Sequence, residues 1–207
     1  MATTRAQQIG IWIIAVIMTV GTIGSFVIII LANDNQKIDA AKQQEQAAEQ
    51  QKLYDEYQKK VDAQAKELSD KYYAEFNSYA NRVGTFDAAS VTELKTQDLK
   101  TGDGDTLTAE STFTAYYIGW TPDGKIFDSS IKDGALVAPI TAAPGYVIEG
   151  WTEGAVGMKV GGIRILTIPS EKAYGTTGSG DTIAPNTPLK FLMMVIPTPE
   201  EIPFSTS

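Results

Sequence analysis

The 207-residue chain contains neither cysteine nor histidine. Their absence removes disulfides, thiol nucleophiles, serine-histidine catalysis and the usual zinc sites at once. It leaves the redox compartment open, because a cysteine-free protein suits an oxidising exterior and a reducing cytosol equally. Basic charge is also scarce: 17 Lys and Arg stand against 25 Asp and Glu, a net charge of -8. From Thr85 onward the balance is 8 against 15, so no basic stripe exists to follow a nucleic-acid backbone, and nucleic acid is excluded as a partner.

Charge of either sign is missing from residues 9–32, IGIWIIAVIMTVGTIGSFVIIILA. A helix of that length reaches about 36 Å at 1.5 Å per residue, against about 30 Å of bilayer hydrocarbon. The run exceeds the about 7 to 15 residues of a signal-peptide core, and only Arg5 precedes it. It therefore predicts a retained transmembrane helix after a short polar leader (1–8). The simplest orientation places the amino terminus in the cytoplasm and the C-terminal part outside, a single-pass protein of the cell membrane.

Glycine and proline are missing from residues 33–82, where Gln, Ala, Lys and Glu dominate. Leu53, Tyr57, Val61, Ala65, Leu68, Tyr72, Phe76, Tyr79 and Val83 recur every about 3.75 residues, a helical period wider than that of a left-handed coiled coil. The pattern predicts one long amphipathic helix, a stalk over 33–84 that stops at Gly84. Its aromatic stripe needs a partner: the following domain, a second copy in a homodimer, or a client.

The period then changes. Residues 111–120, 161–169 and 189–196 are rich in β-branched and aromatic residues, and Thr121-Pro122-Asp123-Gly124 is a turn by mechanism. Strands, short turns and one short helix near 147–154 predict an α+β domain over 85–197, followed by a disordered tail at 198–207. Two patterns invite other readings. The glycine-rich stretch 175–182 lacks the lysine of a phosphate-binding loop and reads as a flap. Residues 101–105, TGDGD, lack the length and distal glutamate of a calcium loop and read as a turn.

One set of motifs is more specific. Residues 147–175 carry Val-Ile-Glu-Gly-Trp, then an apolar run ending at Pro169, then Ala-Tyr-Gly, and Phe-Asp-Ser-Ser stands at 127–130. In that order they resemble the FKBP-type peptidyl-prolyl isomerases over roughly residues 91–197. The resemblance implies a curved antiparallel sheet wrapped over a short helix, and it implies isomerisation of X-Pro bonds. It places Tyr117 and Phe127 on one wall of an apolar pocket, Trp151 on the floor beneath a proline ring, and Asp128 at the polar edge. Tyr174 is expected to donate its hydroxyl to a substrate carbonyl, completing the catalytic group. For substrate binding, Val147 and Ile148 open the short helix, while Ile183 and Phe191 close the opposite side. An extra residue between Ser130 and Val147 leaves the family's aromatic there without a clear match; Leu136, or else Val137, is the nearest. After Ala-Tyr-Gly, Ser179 and Ala184-Pro185 stand where the family often has histidine and a paired proline.

The chemistry suits the residues present. Rotation about X-Pro meets a barrier of about 20 kcal/mol, and its transition state is a twisted amide whose carbonyl is less polar than in the planar form. A dry aromatic pocket with a few donors favours that state without nucleophile, metal or cofactor. The expected function is a membrane-tethered foldase acting on proline-containing polypeptides, open to macrolide inhibitors. The alternative is a non-catalytic proline-binding or chaperone-like module on a helical stalk.

Overall fold

The computed structural model describes residues 36–204 of the chain. The leader, the apolar run at 9–32 and residues 205–207 lie outside the described residues. Among the described residues, no helix is long and apolar enough to cross a membrane.

Helix α1 (Gln36–Ser78) covers most of the glycine- and proline-free segment. The chain divides into two compact units, one holding the start of α1 through Lys59 with Pro203 and Phe204, the other spanning Lys60–Ile202. In the first, the Tyr57 and Phe204 rings meet edge to face at 5.2 Å, and Gln51 Nε2 donates to Asp55 Oδ1 one turn away.

The second unit is built on a six-stranded antiparallel sheet. Its strands are β1 (Lys95–Lys100), β2 (Phe113–Trp120), β3 (Ile126–Ser129), β6 (Ile140–Ala142), β7 (Ile163–Ile168) and β8 (Leu189–Ile196). The order is β1-β7-β8-β2-β3, and β6 pairs with the first half of β2. Between β3 and β6, β4 (Ile131–Lys132) and β5 (Ala135–Leu136) form a separate hairpin. Asp133 and Gly134 turn it with φ of 50° and 76°, the left-handed pair that a two-residue hairpin requires. The expected turn after β2 closes through a bond from Gly124 N to Thr121 O at 2.9 Å.

Strand alternation sorts the apolar residues onto two faces. Along β8, Leu189, Phe191, Met193 and Val195 point one way, and Leu192, Met194 and Ile196 the other. The inner face packs on helix α2 (Glu149–Ala155). Gly150 and Gly154, one turn apart on α2, allow the close approach. A Cβ on Gly150 would lie 2.3 Å from Ile168, and one on Gly154 would lie 2.7 Å from Leu166.

The outer face is covered by the end of α1. Phe76, fully buried, joins Tyr116, Ile118, Trp120, Ile163, Leu192 and Met194, with Leu68 and Tyr72 packed alongside. The distal half of the aromatic stripe thus packs within the chain, on the following domain. The helix also ends earlier than Gly84. After Ser78 a 3-10 turn, Ala80–Arg82, swings Tyr79 and Val83 onto the same cluster, and the Gly84 carbonyl accepts from Trp120 Nε1 at 3.0 Å. Packing on the sheet overrides the glycine stop signal. Residues 197–204 have no regular secondary structure, though the Glu200 carbonyl accepts from Gln64 Nε2 at 2.7 Å.

Candidate active site

Four aromatic side chains from four separate elements converge on the inner face. Tyr117 from β2 meets Trp151 from α2 edge to face at 5.1 Å, and Phe191 from β8 meets Trp151 at 5.3 Å. Phe127 from β3 stands perpendicular to Phe191 at 5.5 Å. Such geometry brings the positive edge of one ring to the negative face of the next and adds about 0.5–1.5 kcal/mol per pair beyond area burial. Gly119 makes the wall fit, since a Cβ there would lie 2.6 Å from both the Phe127 and the Phe191 rings.

Trp151 is 4% exposed, and its Nε1 has no hydrogen-bond partner among the described residues. The ring enters from the first turn of α2, which Ile148 caps in extended conformation while its carbonyl accepts from Trp151 N at 2.9 Å. Val147 and Ile148 pack against the same cluster, half-buried, and Ile183 is buried in it.

The polar edge is built from β2, β3 and the loop after β7. Tyr117 donates its hydroxyl to Asp128 Oδ2, whose other oxygen accepts from Ser129 N at 2.8 Å. Burial, with the Asp128 bond and charge adding to it, pushes the Tyr117 phenol well above its ordinary range. Tyr174 packs half-buried against the cluster, and burial first and the Asp128 charge second also raise its phenol. Both tyrosines therefore stay protonated through neutral pH. They differ in occupancy: Tyr117 is engaged by Asp128, whereas the Tyr174 hydroxyl has no protein acceptor among the described residues. The loop beyond Tyr174 folds into a tight hairpin closed by Ser179 N to Ile183 O at 2.8 Å and Ile183 N to Ser179 O at 3.1 Å. Those bonds carry Ile183 onto the apolar cluster.

Nine of the ten residues expected at the site are brought together in this way. Leu136 is not. The β4-β5 hairpin turns its side chain into the outer cluster, and its backbone N donates to Ser69 Oγ of α1 at 2.9 Å. Val137, the other candidate, is 38% exposed. The β4-β5 hairpin thus carries Leu136 away from the inner-face cluster.

Two further residues support the site without a motif to announce them. Ser130, 2% exposed, donates its N–H to Tyr117 O at 2.8 Å, and its Oγ accepts from Tyr117 N at 2.9 Å, pinning the Tyr117 backbone. Arg164 of β7, 6% exposed, donates through Nη1 to Gly154 O at 2.7 Å and Val156 O at 2.9 Å, satisfying carbonyls at the C-terminus of α2. Its Nε and Nη2 grip Asp98 of β1 at 2.6 and 3.0 Å. The guanidinium thus ties the edge strand to the helix that carries Trp151. In sequence it is one cation in an apolar strand; only burial reveals the bidentate role that arginine geometry suits.

The family profile described as FKBP-type peptidyl-prolyl cis-trans isomerase matches residues 104–196. The chain is 45% identical over 95 residues to an FK506-binding protein of Neisseria meningitidis serogroup A, covering 46% of this chain and 86% of that protein. It is 36% identical over 136 residues to a probable FKBP-type peptidyl-prolyl cis-trans isomerase of Haemophilus influenzae, covering 66% of this chain and 53% of that one. Among solved structures it is similar to a peptidyl-prolyl cis-trans isomerase of Pseudomonas syringae, with 30% identity and a TM-score of 0.45, covering 62% of this chain and 93% of that chain. The aromatic cluster on the inner face and the match to nearly the full length of a relative lead to one conclusion: the chain belongs to the FKBP-type peptidyl-prolyl cis-trans isomerases and is an isomerase of this class.

Proposed function

We propose that this isomerase is a membrane-tethered foldase that acts on X-Pro bonds of proteins outside the cytoplasm. The uncharged run at 9–32 carries the reading, because 24 consecutive residues without a charge suit a bilayer span and the isomerase domain follows it at the end of a helix. Tethering would raise the local concentration of enzyme where exported chains emerge.

In the proposed mechanism the proline ring rests on Trp151 between Tyr117, Phe127 and Phe191. Excluding water there disfavours the planar, more polar amide relative to the twisted one. Tyr174 supplies the placed donor to a substrate carbonyl, since its hydroxyl is protonated and unengaged. Asp128 occupies the Tyr117 hydroxyl, so Tyr117 acts as a fixed wall. Val147 and Ile148 frame the mouth, and Ile183 closes the side reached by the hairpin. The same pocket would accept an FK506-type macrolide, as the name of the Neisseria relative indicates for that protein.

Two measurements test the reading. In cells, the full chain should stay with the membrane after alkaline carbonate extraction, and protease added from outside should remove the domain; a carbonate-soluble or protected domain would overturn the tether or its orientation. With a proline tetrapeptide in an isomer-specific assay, the site assignment predicts a rate that a macrolide suppresses. A rate insensitive to Trp151→Ala would remove the assignment.

A further inference from the structure

The outer face holds a cluster that the isomerase reading does not use. Lys95, Thr167, Lys190 and Trp120 are direct cross-strand neighbours on β1, β7, β8 and β2, so all four project from the same face in one row. With strands about 4.8 Å apart, the two lysines stand about 10 Å apart with the threonine between them. Together with Arg82, from the turn after α1, they line a cavity of about 240 Å³ to which Gln97 also contributes. Every polar side chain lining the cavity is a cation, a hydroxyl or an amide; no carboxylate lines it.

This is unexpected in a domain where acids outnumber bases 15 to 8. Among the described residues, Arg82 and Lys190 have no carboxylate partner; Lys190 Nζ instead sits 4.9 Å from the Phe86 ring centroid. Lys95 has one loose partner, Glu93 at 3.6 Å, with both side chains mostly exposed. Three like charges within about a Debye length repel unless an anion joins them. A carboxylate offers two acceptor oxygens, fewer than this set of donors can use, whereas a phosphate can take up the cations, the Thr167 hydroxyl and the Gln97 amide together.

We propose that this cavity binds a phosphate group, as a free phosphate ester or as the headgroup of an anionic lipid, on the face of the sheet opposite the isomerase pocket. Binding there does not depend on the isomerase reading, because no pocket residue contributes. The test uses the full-length, ¹⁵N-labelled chain titrated with inorganic phosphate at constant ionic strength. Saturable amide shifts are expected at Thr96, Gln97, Thr167 and Lys190. The double variant Arg82→Gln, Lys190→Gln should weaken binding about tenfold or more, the equivalent of about 1.4 kcal/mol. Lys132→Gln, on the separate β4-β5 hairpin, should leave it unchanged, and Glu93→Gln should tighten it. In bilayer discs, the same shifts appearing with an anionic phospholipid and not with a zwitterionic one would assign the headgroup as the source. Their appearance with phosphate alone would assign a soluble ester. Shifts reproduced by sodium chloride, or unchanged in the double variant while its remaining amide spectrum stays native, would overturn the proposal.

Discussion

The two faces of one sheet have been put to opposite uses. On the outer face α1 fills the surface with Phe76, Leu68 and Tyr72, so that Tyr116 and Trp120 are buried by protein. On the inner face α2 is only seven residues long, and around its first turn aromatic rings meet edge to face, with an unpartnered indole N–H on Trp151 and an unengaged hydroxyl on Tyr174. The two faces also differ in sequence, since the outer one carries Lys95, Thr167 and Lys190 in one row across β1, β7 and β8. What separates them is the helix laid on each: the end of α1 on the outer face and the seven-residue α2 on the inner one.

The comparison can be broken most severely from the outer side. Phe76→Ala should cost about 3–5 kcal/mol of stability, as expected for a fully buried aromatic. Denaturant unfolding would show it, while kcat/KM per folded molecule at low temperature should not move. If kcat/KM falls as well, the two faces are coupled. On the inner side, Trp151→Ala should reduce kcat/KM about ten- to a hundredfold by removing an apolar contact worth about 1.5–3 kcal/mol. Full activity in that variant would mean that the floor lies elsewhere.

Arg164→Met tests whether the clamp matters to the pocket. It orphans two carbonyls at the end of α2, and a loss of about 1–3 kcal/mol is expected in unfolding experiments. Arg164→Lys should restore part of that loss, since a lysine cannot grip Asp98 in two places. Tyr174→Phe removes one donor, and kcat/KM should drop about two- to tenfold, consistent with about 0.5–1.5 kcal/mol for one hydrogen bond. An unchanged value would reassign the donor.

The smallest effect is expected from pH. With no histidine, and with Tyr117 and Tyr174 held protonated by burial, kcat/KM should be flat from about pH 6 to 9. In alkali, stability should respond through Tyr116. The Tyr116 phenol, desolvated beneath α1, is pushed up to about 12 from 10.0. Below the unfolded value the phenol is neutral in both states and its contribution is fully present. Above it the unfolded chain releases the proton first, so stability falls as pH rises towards the folded value. A pH-independent Tm between pH 9 and 12 would contradict the burial of Tyr116.

Much of this architecture was legible in the residues. The last strand, Leu189–Ile196, coincides with the apolar run at 189–196, whereas Trp151 and Tyr174 stand out only through their place in the ordered motifs that resemble the family. Leu136 falls on the outer face rather than at the site, because only the hairpin at Asp133-Gly134 decides which face the following leucine takes. Arg164 was invisible because a cation inside a strand carries no local signal of what it will meet across the fold.

By itself the sequence determined the periods: an uncharged run at 9–32, a helical stripe through Val83, then alternation in strands, and with them the α+β class; the aromatic set follows from the family resemblance of its ordered motifs. Periodicity is a local property, set by backbone geometry within a few residues. Tertiary structure alone decided which helix covers each face of the sheet, that the end of the α1 stripe is spent on it, and that Lys95, Thr167 and Lys190 fall into one row. Those depend on strand register between residues up to about a hundred positions apart, which no local pattern encodes.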